Sequence, residues 1–133
     1  MPPVYSVLYE DMDILIVNKL EPVPVQPEKT GDSSLQELIA ADRRAGGTPA
    51  VFLEAAHRID RRSSGAVLFA KTPKALSTLE AAFRARRIEK EYIACVEREP
   101  ETPQGRLEHR LVWNKRRNIV TALPMSTARE GGR

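Results

Sequence analysis

The run His57-Arg58-Ile59-Asp60-Arg61-Arg62-Ser63-Ser64-Gly65 sets one carboxylate among three arginines and a histidine, just ahead of the apolar Ala66-Val67-Leu68-Phe69-Ala70. A carboxylate flanked by Arg58, Arg61 and Arg62 suits the work of an ionised nucleophile or base, not that of a general acid, if those groups converge on it. The same arginines would serve as phosphate contacts for a polyanionic substrate. On residue types alone a second reading stays open, in which Asp60 is a local brace paired to an arginine. His57 has no second His or Cys at metal-ligand spacing and is read as structural, and His109 as incidental. Ser63 and Ser64 lack the Gly-x-Ser-x-Gly setting of a hydrolase nucleophile, and no glycine-rich loop precedes a helix as a phosphate cradle would. Tyr92 is either a core tyrosine or a flat ring against which an extruded base stacks.

These residues sit in a chain of 133 residues, 41% hydrophobic, whose 21 Lys and Arg against 18 Asp and Glu give a net charge of +3. That length predicts one domain, residues 1–133, and the charge suits an anionic partner without requiring one. Basic residues gather at Arg58 to Arg62, Arg84 to Lys90 and Lys115 to Arg117, and acids at Glu10 to Asp13 and Glu97 to Glu101. Cys95 is the single cysteine, which excludes an internal disulfide or a cysteine-cluster metal site and suits a reducing, cytoplasmic setting. The N-terminus lacks a signal-peptide pattern, and no apolar run approaches the ~18 residues of a membrane span, so no membrane partner is expected.

The elements that must position the site follow from pattern. Tyr5 to Tyr9 and Ile14 to Val17 read as two antiparallel strands joined across Glu10 to Asp13. Pro22, Pro24 and Pro27 predict an extended surface loop over Leu20 to Thr30. Ser34-Leu35-Gln36-Glu37 matches a capping box and opens a helix that stops at Gly46-Gly47. Ala66 to Ala70 reads as a buried strand. Thr72 and Pro73 then begin a second helix with Leu76, Leu79 and Phe83 on its buried face and Arg84, Arg86 and Arg87 in its last turn, where the helix dipole or a nucleic acid would favour them. Alternation over Glu91 to Val96 predicts a strand carrying Tyr92. Leu107 to Trp113 and Ile119 to Leu123 read as a hairpin with a basic tip. The fold class is therefore α+β, a mainly antiparallel sheet with flanking helices. The ending Gly131-Gly132-Arg133 comes without a finishing element.

In order, these segments resemble the RluA-type pseudouridine synthase family. Val7 to Asp11 followed by Asp13 to Lys19 resembles its opening motif, and His57-Arg58-Ile59-Asp60-Arg61 with Ser64-Gly65 resembles its active-site motif. Phe69 to Thr72, Ala75-Leu76 and Lys90 to Ala94 follow at matching spacing. The resemblance implies a pseudouridine synthase-like catalytic domain that isomerises uridine in rRNA or tRNA without cofactor or metal. It implies Asp60 as the catalytic aspartate, Tyr92 as the phenol beside the target base, and Arg58 as a residue holding the flipped-out nucleotide. Arg61, Arg84, Arg86, Arg87, Lys115, Arg116 and Arg117 are then the expected grip on flanking phosphates.

The chain departs from the pattern in three places. Arg62-Ser63 replaces a common Asp-Thr pair, Leu20-Glu21-Pro22 replaces Pro-Ala-Gly, and a later segment that supplies a basic residue to the site is not matched. No S4-type RNA-binding domain is expected. The expectation is an incomplete C-terminus, with uncovered sheet edges and either marginal stability or completion by further polypeptide beyond Arg133 or by another chain. A non-catalytic RNA-binding module and a small interaction protein with solvated charged faces are the competing expectations.

Overall fold

Alternation in Ile14-Leu15-Ile16-Val17-Asn18-Lys19 organises the first part of the chain: every second residue of this strand is buried, namely Leu15, Val17 and Lys19. The computed structural model describes residues 3–48 and 52–125. It divides into two compact units, Met1–Glu91 and Tyr92–Arg133. In the first, β1 (Tyr5–Glu10), β2 (Ile14–Lys19), β3 (Glu54–Ala55) and β4 (Gly65–Ala70) form an antiparallel sheet in the order β1-β2-β4-β3. The register pairs Leu15 with Phe69, Val17 with Val67 and Lys19 with Gly65, so Leu15, Val17, Val67 and Phe69 share one buried face. Leu35 and Ile39 of helix α1 (Leu35–Ala45) close over that face, and Val25 and Leu53 complete the cluster.

The helix boundaries form as their cap residues dictate. Ser34 accepts the Glu37 amide while Glu37 accepts from the Ser34 backbone, the full capping box. Thr72 caps helix α2 (Pro73–Arg84) with Pro73 in its first turn. Both helices end alike. In α1, Gly47 N–H bonds the Arg44 carbonyl and Thr48 N–H the Arg43 carbonyl; in α2, Arg86 N–H bonds Phe83 and Arg87 N–H bonds Ala82. This closure requires a left-handed residue at the first position past the cap. Gly47 meets it at φ +80°, but at the equivalent place in α2 stands Arg86 at φ +53°.

Four expectations need correction. Arg86 and Arg87 lie beyond α2, because its last turn closes at Arg84 and Ala85. The proline-rich segment avoids helix and strand but is not wholly at the surface: Pro24 and Val25 are buried, and their carbonyls accept from the Leu35 and Gln36 amides at 2.8 and 3.2 Å, satisfying the open start of α1. Leu76, Leu79 and Phe83 are half-buried, and the buried residue of α2 is Ala75. Finally, Glu91 to Val96 forms no strand. Alternation makes a strand only where a neighbour supplies ladder bonds and a face to bury against. In the second unit the sole sheet among the described residues is the ribbon of β5 (His109–Asn114) and β6 (Ile119–Pro124), the expected hairpin with its basic tip. The ending Gly131-Gly132-Arg133 lies outside the described residues.

Candidate active site

Asp60 stands on a tight turn between β3 and β4, where its carbonyl accepts the Ser63 amide at 3.0 Å. Asp favours this first turn position, and Arg61 and Arg62 fill the centre. Exposure alternates through the segment: His57, Ile59, Arg61 and Ser63 are half-buried, while Arg58, Asp60, Arg62 and Ser64 face solvent. Each inward residue is engaged. Ile59 packs against the core cluster. Arg61 turns away from Asp60, its guanidinium bonding Asp32 at 2.8 Å and the Pro22 carbonyl at 3.0 Å. That guanidinium, with Thr30 assisting, holds the Asp32 carboxyl below its ordinary range. Among the described residues Asp60 is ion-paired to none of the three arginines beside it in sequence. Arg58 and Arg62, like Asp60, are exposed.

The residue that sequence reasoning missed is Lys19. It is fully buried, at 0% exposure, and its ammonium donates to the carbonyls of Val23 at 2.8 Å, Arg61 at 3.1 Å and Leu20 at 3.4 Å. One buried cation thus ties the start of the 20–32 loop to the turn that displays Asp60. Burial pushes the Lys19 ammonium down from its ordinary range, while the negative charges of Glu21 and Asp60 act the other way. The available signal was the period of β2: continuing the inward series Leu15, Val17 by two residues lands on Lys19.

His57 holds the other end of the segment. Its Nε2 accepts the Leu68 amide of β4 at 3.2 Å, and its ring lies 5.1 Å from that of Phe83 in α2. Accepting at Nε2 requires the neutral ring protonated at Nδ1, which is buried without a hydrogen-bond partner among the described residues. The structural role expected for His57 is the one found. Burial lowers its pKa from 6.5, the Lys90 charge lowers it further, and the Arg58 backbone opposes both. A base whose folded pKa is depressed contributes stability that is present above its unfolded pKa and lost as pH falls. The unfolding midpoint in denaturant is therefore expected to hold from pH 8 to about 7 and to decline as pH falls below about 6.5, before carboxylates titrate. A flat midpoint across that window would remove His57 from the account.

The remaining expected residues fall in separate places. Arg84, Arg86 and Arg87 are exposed at the end of α2 in the first unit. Tyr92 is 66% exposed in the second unit, as are Lys115, Arg116 and Arg117 at the β5–β6 tip. Arg86 bears a conformational cost of about 1 kcal/mol for a left-handed non-glycine residue. Arg86→Gly is expected to raise stability by roughly that amount. Thermal melts of parent and variant check it.

Residues 13–130 match the family model described as RNA pseudouridylate synthase. The chain belongs to the RNA pseudouridylate synthase family. It is 36% identical over 118 residues to the ribosomal large subunit pseudouridine synthase C of Vibrio vulnificus (strain CMCP6), a match covering 89% of this chain and 36% of that protein. To the enzyme of the same name from Escherichia coli (strain K12) it is 39% identical over 90 residues, 68% of this chain and 27% of the relative. The chain thus spans about a third of the length of these relatives. Among solved structures, human RNA Pseudouridylate Synthase Domain Containing 4 shares the fold, with a TM-score of 0.52 at 22% identity over 62% of this chain and 30% of that one. For a pseudouridylate synthase chain, the antiparallel sheet with two helices is the expected α+β architecture of the family's N-terminal part.

Proposed function

We propose that this chain carries the catalytic face of an RNA pseudouridine synthase, with Asp60 as its reactive carboxylate. The observation that supports the reading most directly is the display of Asp60: an exposed side chain, ion-paired to no arginine among the described residues, on a turn whose backbone is fastened by buried Lys19 and by Arg61. A brace would spend its carboxylate on a neighbour, whereas a nucleophile or base must present it to substrate in a fixed geometry. In the proposed reaction the N1–C1′ bond of a uridine breaks, the uracil rotates, and C5 bonds to C1′; C5 gives up its proton and N1 regains one. Electrons balance within the substrate, so neither cofactor nor metal is required.

Asp60 acts at the ribose, either as nucleophile at C1′ or as base on the sugar. Arg58, itself exposed, holds the extruded nucleotide, and Tyr92 sits beside its base. Arg61, Arg84, Arg86, Arg87 and Lys115 to Arg117 contact phosphates. The names of the relatives make ribosomal RNA the favoured substrate over transfer RNA, and a cytoplasmic setting goes with it. Because the chain spans about a third of those relatives, activity is proposed to need completion by further polypeptide. That same proportion favours, as the second reading, an RNA-binding module without turnover.

Tritium release from RNA labelled at uridine C5 tests the proposal, using this chain alone and extended past Arg133. Release by either form, dependent on Asp60, supports the synthase reading. RNA binding without release from both would leave the binding module.

A further inference from the structure

The β5–β6 hairpin presents a surface that chemistry at Asp60 does not use. Its register sets Trp113 opposite Val120, Leu111 opposite Ala122 and His109 opposite Pro124, so one face is almost wholly apolar. Leu111, Trp113 and Val120 on it are 67%, 59% and 58% exposed. At the end of this face the tip holds Lys115, Arg116 and Arg117 in a tied turn: Asn114 Oδ1 accepts the Arg116 and Arg117 amides, both at 3.1 Å, and Asn118 takes the left-handed conformation at φ +51°. None of the three cations pairs with a carboxylate among the described residues. The Lys115 ammonium lies 5.7 Å from the Trp113 ring centroid, a cation–π contact that steadies the ring.

An exposed indole beside three unneutralised cations on a fixed turn is complementary to a ligand with flat faces and a negative backbone. An acidic protein segment would answer the charge but not the ring. Duplex RNA would answer the charge while keeping its base faces stacked inside the helix. Unpaired RNA answers both. We propose that this hairpin end is a stacking subsite for single-stranded RNA, in which Trp113 takes the face of an unpaired base while Lys115, Arg116 and Arg117 take the adjoining phosphates. The proposal rests on the reading that the chain acts on RNA, and it adds a requirement: the segment bound at the hairpin must be unpaired.

Trp113 is the single tryptophan of the chain, so its fluorescence reports this subsite without a label. The full chain is titrated with a single-stranded oligouridine of about 10 nucleotides, within the usual site size, and with a duplex of equal length. Single-stranded RNA is expected to quench the emission with the same Kd that anisotropy of labelled RNA gives, and the duplex to quench it far less. Trp113→Leu is expected to weaken single-strand binding about 10-fold, and Trp113→Phe to retain most of it. The triple change Lys115→Gln, Arg116→Gln, Arg117→Gln should reduce the slope of log affinity against log salt by about 2.

Binding with unmoved fluorescence and equal affinity for Trp113→Leu would overturn the subsite. So would a spectral shift that follows chain concentration without RNA, which would mean a second copy covers the face. Tritium release intact with unmoved fluorescence would sink the subsite and spare the synthase reading. Quenching retained with no release in any form would do the reverse.

Discussion

Asp60→Asn is expected to lower uridine conversion by at least about 10³-fold, the scale on which loss of a reacting group acts, while RNA affinity and the unfolding midpoint stay close to the parent's. The two halves of this expectation have different origins. The turn at Asp60 is held by backbone atoms and by other side chains: the Ser63 amide bonds the Asp60 carbonyl, Lys19 bonds the Arg61 carbonyl, and the Arg61 side chain bonds Asp32 and Pro22. None of these contacts uses the Asp60 carboxylate, so an isosteric amide leaves the geometry in place, and an exposed substitution of this kind changes stability by no more than about 0.5 kcal/mol. An amide is neither the nucleophile nor the base that the reaction demands. Single-turnover tritium release and filter binding, measured on the active form, separate the two. Equal release from parent and variant would remove Asp60 from the chemistry, and a large drop in melting temperature would restore the brace.

Lys19→Met is expected to carry the larger stability effect. Methionine fills a similar volume, yet the close carbonyls of Val23 and Arg61 lose their donor in a place where water has little access. A buried acceptor left unsatisfied costs about 1–3 kcal/mol, offset in part because the buried ammonium was itself costly to desolvate. A net loss of about 2 kcal/mol would lower the melting temperature by roughly 10 °C for a unit of this size. Activity should fall as well, since the Asp60 turn and the 20–32 loop would no longer share an anchor. Lys71→Met serves as the comparison. Lys71 reaches Glu10 and the Asp11 carbonyl from a more accessible position and should cost under about 1 kcal/mol. Equal melting losses for the two lysines would mean that burial of Lys19 is not what matters.

Much of the first unit was legible because its signals are local. Ser34 with Glu37 and Thr72 with Pro73 mark helix starts through groups three residues apart, and β2 and β4 declare themselves by alternation and apolar content. The hairpin at Asn114 to Asn118 was legible for the same reason. Misreadings arose where the outcome depends on distant partners. Glu91 to Val96 has the alternation of a strand, but a ladder is a property of two segments, and no second one is in place among the described residues. Arg61 stands next to Asp60 in sequence, yet Asp32, reached through the fold, takes its guanidinium. Lys19 was visible as a residue type, whereas its burial follows from the loops that close over the end of β2. Family resemblance named Asp60; the contacts that hold it in place were readable only in three dimensions.

The two fastenings of the Asp60 turn differ in how they meet dissolved ions. The Arg61–Asp32 bridge is solvent-accessible, at 37% and 52% exposure, and is weakened by screening. The Lys19 anchor is enclosed and is screened much less. Added salt therefore loosens the outer tie while the inner one persists, and on the proposed reading it would also strip away RNA contacts. Ionic strength should raise KM steeply and leave kcat nearly level, so that saturating RNA restores the rate in concentrated salt. A fall in kcat alongside the rise in KM would place the decisive fastening at Arg61.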